Sequence, residues 1–139
     1  MPSTNDHQDH PPTAFKILTA AQWAAWQRAG AFSGAGIDLA DGYIHLSTAA
    51  TAGETYARYF ADQHDPDSLV VVEVDLRRLG QQGTGAGTGA EVKWEVSRGG
   101  ALFPHVYGEI PVGAVGRRWE GGEVGRGLFE GLEAEAGRG

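Results

Sequence analysis

Apolar and polar positions alternate along this chain in ways that sort it into short strands and two amphipathic helices. Residues 14–18 (AFKIL) predict a first strand. TAAQ at 19–22 follows, a capping-box pattern in which the Thr19 hydroxyl and the Gln22 amide each satisfy a backbone N–H at a helix start. The helix it opens is expected to run to Ala29 and stop at Gly30, with Trp23 and Trp26 on one face. In residues 42–46, Tyr43 and His45 alternate with Ile44 and Leu46, the period of a strand, which turns His45 away from its aliphatic neighbours. Ser47 or Thr48 is expected to cap a second helix reaching about residue 61, with Ala52, Tyr56, Tyr59 and Phe60 as its apolar stripe. Residues 69–74 (LVVVEV) form a near-continuous aliphatic run, as in a strand covered on both faces, and predict the centre of the sheet. Residues 92–96, 102–107 and 114–119 predict further strands, divided by the SRGG turn at 97–100 and by Pro111. Two early helices followed mostly by strands read as an α+β fold.

A length of 139 residues fits one domain with a real core. Residues 1–13 (MPSTNDHQDHPPT) offer little to bury and are expected to be disordered. Residues 14–120 form the expected domain. Residues 121–139 read as a Gly/Glu-rich C-terminal tail with only Leu128, Phe129 and Leu132 to bury. Residues 81–90, rich in glycine, threonine and glutamine, predict a flexible surface loop.

The formal charge of −7 divides unevenly: residues 14–119 hold eleven acids against nine bases, and the rest of the excess sits at the two ends. A near-neutral core with acidic ends argues against extended nucleic acid or an anionic membrane surface, and leaves room for a small phosphorylated ligand held by a few arginines. The absence of cysteine excludes disulfides, thiolate metal sites and a thiol nucleophile. No apolar segment resembles a secretory signal or approaches the ~18 residues of a membrane span, so a cytoplasmic location is expected.

Candidate chemistry concentrates in two tracts, DGYIHLST at 41–48 and WEVSRGGALFPHVYG at 94–108. His45 could be a packed strand residue bonded to a carbonyl. Its place just before a strand-to-helix turn also suits a site where free N–H groups receive phosphate or carboxylate. Ser47 is a cap under one reading and a phosphate contact under the other. Glu95 points opposite Trp94 and Val96, either to water or to a concave face shared with His45, where it would be a tunable acid, base or charge stabiliser. Arg98, before two glycines, either pairs with a surface acid or receives a phosphate. Phe103, His105 and Tyr107 share a side, and Pro104 implies an edge or bulge that re-aims His105. Trp23, Trp26 and Trp94 read as core, and Asp41-Gly42 as a turn. A metal site from His45, His105 and Glu95 is chemically conceivable, but their spacing matches no compact ligand signature.

From Phe15 to about Val115 the chain resembles the bacterial domain-of-unknown-function family 952, through Lys16-Ile17, Trp23, DGYIHLST, the VVVEVD strand, Trp94-Glu95 and FPHVYG. The order of elements is also similar to the catalytic half of RNA 2′-phosphotransferases, with His45, Leu46 and Ser47 matching a first motif, Val74-Asp75 a strand end and residues 97–103 a last segment. That second resemblance implies an ADP-ribosyltransferase-like split, mostly antiparallel sheet. It further implies an NAD-dependent transferase or glycohydrolase. His45, Glu95 and His105 would then be catalytic, and Ser47, Thr48, Trp94, Arg98 and Tyr107 would bind the nucleotide. The basic lobe that grips RNA is absent, which argues against RNA as substrate. The alternatives are a non-catalytic module for a small anion or nucleotide, and a metal-dependent hydrolase.

Overall fold

The computed structural model describes residues 10–62, 65–79, 90–97 and 100–137. The expectations for residues 1–9, for residues 81–89 of the loop and for Arg98 lie outside the described residues. Strands and helices follow in the order β1 (Thr13–Thr19), α1 (Ala20–Ala29), β2 (Ala31–Phe32), α2 (Ile37–Asp41), β3 (Ile44–His45), α3 (Ala52–Tyr59), β4 (Leu69–Asp75), β5 (Glu91–Val96), β6 (Leu102–Tyr107), β7 (Ile110–Pro111), β8 (Val115–Glu120) and α4 (Leu128–Gly137). The fold is mixed α+β, and every strand pairing among the described residues is antiparallel.

Local chemistry accounts for the first turn of chain. Both halves of the capping box are made at Thr19 and Gln22, and α1 ends where Gly30 enters the left-handed region at φ 83° and donates its N–H to the Trp26 carbonyl. β4 lies between β1 and β8. Val70, Val72 and Val74 pack with Ala14, Leu18, Trp23 and Trp26 in one core cluster. Leu69 and Val71 pack with Phe15, Ile17, Ala52, Phe129 and Leu132 in a second. The aliphatic run is therefore a central strand covered on both faces, where each fully buried Val or Leu contributes about 1.5–3 kcal/mol.

A second sheet has the order β3-β6-β5, and β2 and β7 form a two-stranded ribbon. An isolated bridge joins the two larger sheets: the Phe15 N–H donates to the Ser47 carbonyl (2.7 Å) and the Ser47 N–H to the Phe15 carbonyl (2.9 Å). That seam positions the candidate site.

The structure differs from the sequence reading at several places, among them Pro111, which lies in β7 instead of dividing strands. Three helices precede β4 where two were expected; α2 is only five residues long, too short to show a helical period. β3 spans Ile44–His45 instead of residues 42–46, because Gly42 is occupied in ending α2. α3 begins at Ala52 and is not capped by Ser47 or Thr48, since the Thr48 N–H donates to the Thr51 hydroxyl (2.9 Å) and the two form a turn of their own. The segment read as a C-terminal tail carries α4, which docks through Phe129 and Leu132 in the second core cluster, with Val124 buried beside them and Leu128 packed against that cluster. No helix among the described residues is long and apolar enough to cross a membrane.

Candidate active site at the seam between two sheets

One face of the β3-β6-β5 sheet gathers the polar groups. The register sets His45 opposite His105 and His105 opposite Lys93, and places Glu95 opposite Phe103. Side chains two apart on a strand share a face, so Tyr43, Tyr107 and Glu95 fall beside the two imidazoles. The His45 and His105 ring centroids are 5.3 Å apart, and the Tyr43 ring lies 4.7 Å from the first and 4.3 Å from the second. Two tracts about fifty residues apart thus converge through strand pairing.

Each imidazole is oriented by a carboxylate. His105, 4% exposed, has Nδ1 2.7 Å from Glu95 Oε1, and that same oxygen accepts the Tyr107 hydroxyl at 2.8 Å. These hydrogen bonds, His105 first, hold the Glu95 carboxyl below its ordinary value. The Glu95 bond raises the Tyr107 phenol to about 12. His105 Nε2 has no protein partner among the described residues, and His105 lines the cavity described below.

The second pair was not legible in the sequence. Asp38, on α2 and 2% exposed, places Oδ1 2.7 Å from His45 Nδ1 and accepts the His45 backbone N–H at 2.9 Å. Lys16 Nζ lies 2.9 and 3.1 Å from the two Asp38 oxygens, and the Ala35 N–H also donates to Asp38 (3.1 Å). Burial pushes the Asp38 carboxyl up, but His45 and Lys16 outweigh it and bring it down to about 2. Burial holds the Lys16 ammonium below its ordinary value against the pull of Asp38. On the other side of the ring, Asp41 Oδ2 is 3.0 Å from His45 Nε2. α2 exists to make this arrangement: it starts after Gly36, stops at Gly42 (φ 86°), and so carries Asp38 inward and Asp41 to the rim. The available signal was an acid seven residues before His45, in a short segment between glycines.

Both imidazoles border a cavity of about 370 Å³ at the seam. Its walls include Phe15, Ile17, Leu46, Phe60 and Phe103, with Ser47, Thr55 and Ser97 as hydroxyl groups. Buried Ser47 reaches it, but its hydroxyl pairs with Thr55 (2.9 Å) and its N–H with Phe15. Thr48 borders a different groove, beside Arg117 and Leu132. Trp94 also points elsewhere; its ring stacks on His10 at 4.1 Å. Tyr107 belongs to the cluster through Glu95 and packs on Tyr43 at 5.1 Å. Among the described residues, then, His45, His105, Glu95, Tyr107 and Ser47 are brought together, and Thr48 and Trp94 are not. Asp38, Lys16, Asp41 and Tyr43 join them unforeseen. No three His, Asp or Glu side chains among the described residues are arranged to hold a metal ion.

Comparisons with known proteins give a solved relative and a family. In the crystal, protein CC0527 from Caulobacter crescentus is 41% identical, with a TM-score of 0.65 over 77% of this chain and 83% of that one. Its solution NMR structure gives 39% identity and a TM-score of 0.60, over 79% and 84%. No curated protein sequence matches the chain. The model of the family described as "Protein of unknown function (DUF952)" matches residues 17–118, and the chain belongs to that family.

Proposed function

We propose that the seam cavity is a catalytic site in which two carboxylate-oriented imidazoles perform acid–base chemistry on a small ring-bearing substrate. The reaction to test first is an NAD-dependent transfer or hydrolysis on an ADP-ribosyltransferase-like fold. The observation that carries the acid–base reading is the pair of contacts His45–Asp38 and His105–Glu95, both at 2.7 Å and both beside one cavity. A carboxylate at Nδ1 fixes each ring; at His105 this leaves Nε2 to exchange protons, the arrangement that general acid–base catalysis needs, whereas His45 Nε2 also faces Asp41 at the rim. What supports NAD in particular is the likeness of the His45-Leu46-Ser47 tract and of the order of elements to RNA 2′-phosphotransferases.

In this reading an acceptor hydroxyl or water attacks the ribose carbon bonded to the nicotinamide nitrogen. The carbon–nitrogen bond breaks, and its electron pair leaves with neutral nicotinamide. The proton lost by the attacking oxygen passes to His105 Nε2. Glu95 stabilises the positive charge that develops on the ribose, and His45 holds a ribose hydroxyl through Nε2, which takes the place of the half-exposed Asp41 carboxylate there.

The test is chromatographic measurement of nicotinamide released from NAD. Wild type is expected to turn over, and His45→Ala and Glu95→Gln to lose about 100-fold or more, the usual scale of a general acid–base contribution. Glu95→Gln should unfold close to wild type, and His45→Ala, which strips a hydrogen bond from buried Asp38, should lose some stability yet remain folded at the assay temperature. A rise in melting temperature with NAD or ADP-ribose but no release would replace this reading with a non-catalytic nucleotide-binding module.

A further inference from the structure

The cavity's charge pattern says which end of a ligand it accepts. Lys16 is the one lysine or arginine among the described residues lining it, and its three N–H donors face three acceptors already: the two Asp38 oxygens and the His45 carbonyl, the last at 2.9 Å. The backbone donors that would otherwise meet an anion are spent too. The Ser47 N–H is on the Phe15 carbonyl, and the Thr48 N–H on the Thr51 hydroxyl. At the rim, by contrast, Asp41 presents a carboxylate whose side chain is 39% exposed, and Oδ2 is the oxygen it gives to His45. Ile17, Phe60 and Phe103 supply an apolar wall behind it, and Ile37, 62% exposed, extends that surface to the mouth.

An anion entering this space would meet the Asp41 carboxylate with no uncommitted ammonium or guanidinium among the described residues that line it to offset the charge, only the Tyr43 and Ser97 hydroxyls and His105 Nε2. A cation would gain Asp41 and lose little hydration, because the carboxylate is still partly in water. We infer that the cavity selects a ligand whose inserted end is an apolar ring carrying a positively charged nitrogen, with Asp41 as the residue that reads the charge. Phosphate groups of a larger ligand would stay outside the cavity. This rests on the acid–base reading only in taking the same cavity as the binding site.

Three probes of one shape separate the possibilities: benzylamine, benzyl alcohol and benzyl phosphate, each titrated into the full chain and followed by two-dimensional ¹H–¹⁵N NMR. Benzylamine is expected to move the amides of His45, Leu46 and Ser47, and to bind about fivefold tighter than benzyl alcohol, the scale of one half-exposed charge pair. Benzyl phosphate should bind weakest. Asp41→Asn should bring amine and alcohol to equal affinity, whereas Asp65→Asn, which changes the net charge equally at an exposed position away from the cavity, should leave the preference intact. Tightest binding by benzyl phosphate, or an amine preference that survives in Asp41→Asn, would overturn the inference. Because these titrations need no turnover, they can fail while His45 and Glu95 still prove catalytic. Equally, they can succeed in a protein that releases no nicotinamide.

Discussion

Asp38→Asn is the substitution that best exposes how the site is built. The amide keeps the shape of the carboxylate and removes its charge, leaving the Lys16 ammonium, whose side chain is 13% exposed, without a counter-ion. Breaking a buried pair by neutralising one partner costs about 3–5 kcal/mol, and the surviving amide oxygen places the expected loss near the lower figure. The pH dependence gives a second route to the size of the effect. The Asp38 carboxyl sits at about 2 against an ordinary 3.8, a difference worth about 2 kcal/mol. Its folded value is lowered, so this stabilisation is complete above about pH 4 and fades as pH falls toward 2. The assay is urea unfolding at pH 7 and across pH 2–5, with the slope checked for constancy so that midpoints report stability. Lys16→Met in the Asp38→Asn background should recover part of the loss, since the stranded ammonium is gone; the two changes must therefore be non-additive. A loss below about 0.5 kcal/mol in Asp38→Asn, or strict additivity with Lys16→Met, would refute the claim that this pair is a coupled, buried support for His45.

Three further outcomes follow from individual contacts. Thr19→Ala removes half of the capping box and should cost about 1 kcal/mol of unfolding free energy in the same urea assay. Gly108→Ala should cost more, about 1–3 kcal/mol, because its φ is 133° and a new Cβ would lie 2.8 Å from the Ala90 Cα. Tyr107→Phe deletes a hydrogen bond to the Glu95 carboxylate, so the Glu95 carboxyl should titrate at higher pH than in wild type, read from its side-chain carbon shifts in an NMR titration.

The parts of the fold that were legible are those whose chemistry is local. The capping box and Gly30 delimit α1, and an aliphatic run with no polar face marks β4, because each signal acts within a few residues. The convergence of His45 with His105 depends on the register of β3 on β6, which no single tract encodes; the alternation of polar and apolar positions gave the face but not the partner. Asp38 was hidden for a further reason. It lies on a five-residue helix between glycines, where neither period can be recognised, and its role is fixed by a lysine twenty-two residues earlier. Ser47 and Thr48 illustrate the converse error: hydroxyls next to a turn resemble a helix cap, yet here Thr48 bonds Thr51 and the helix starts later. The docking of α4 shows that a few well-placed apolar residues, Val124, Leu128, Phe129 and Leu132, accompany order in a glycine-rich, acidic segment.

The most direct measurement is the rate of nicotinamide release from NAD by wild type, His45→Ala, His105→Ala and the double variant, at matched folding. If both imidazoles serve one reaction in one cavity, each single variant is strongly impaired and the double is no slower than the worse single. Release by His45→Ala at the wild-type rate would show that the two rings are neighbours without a common task.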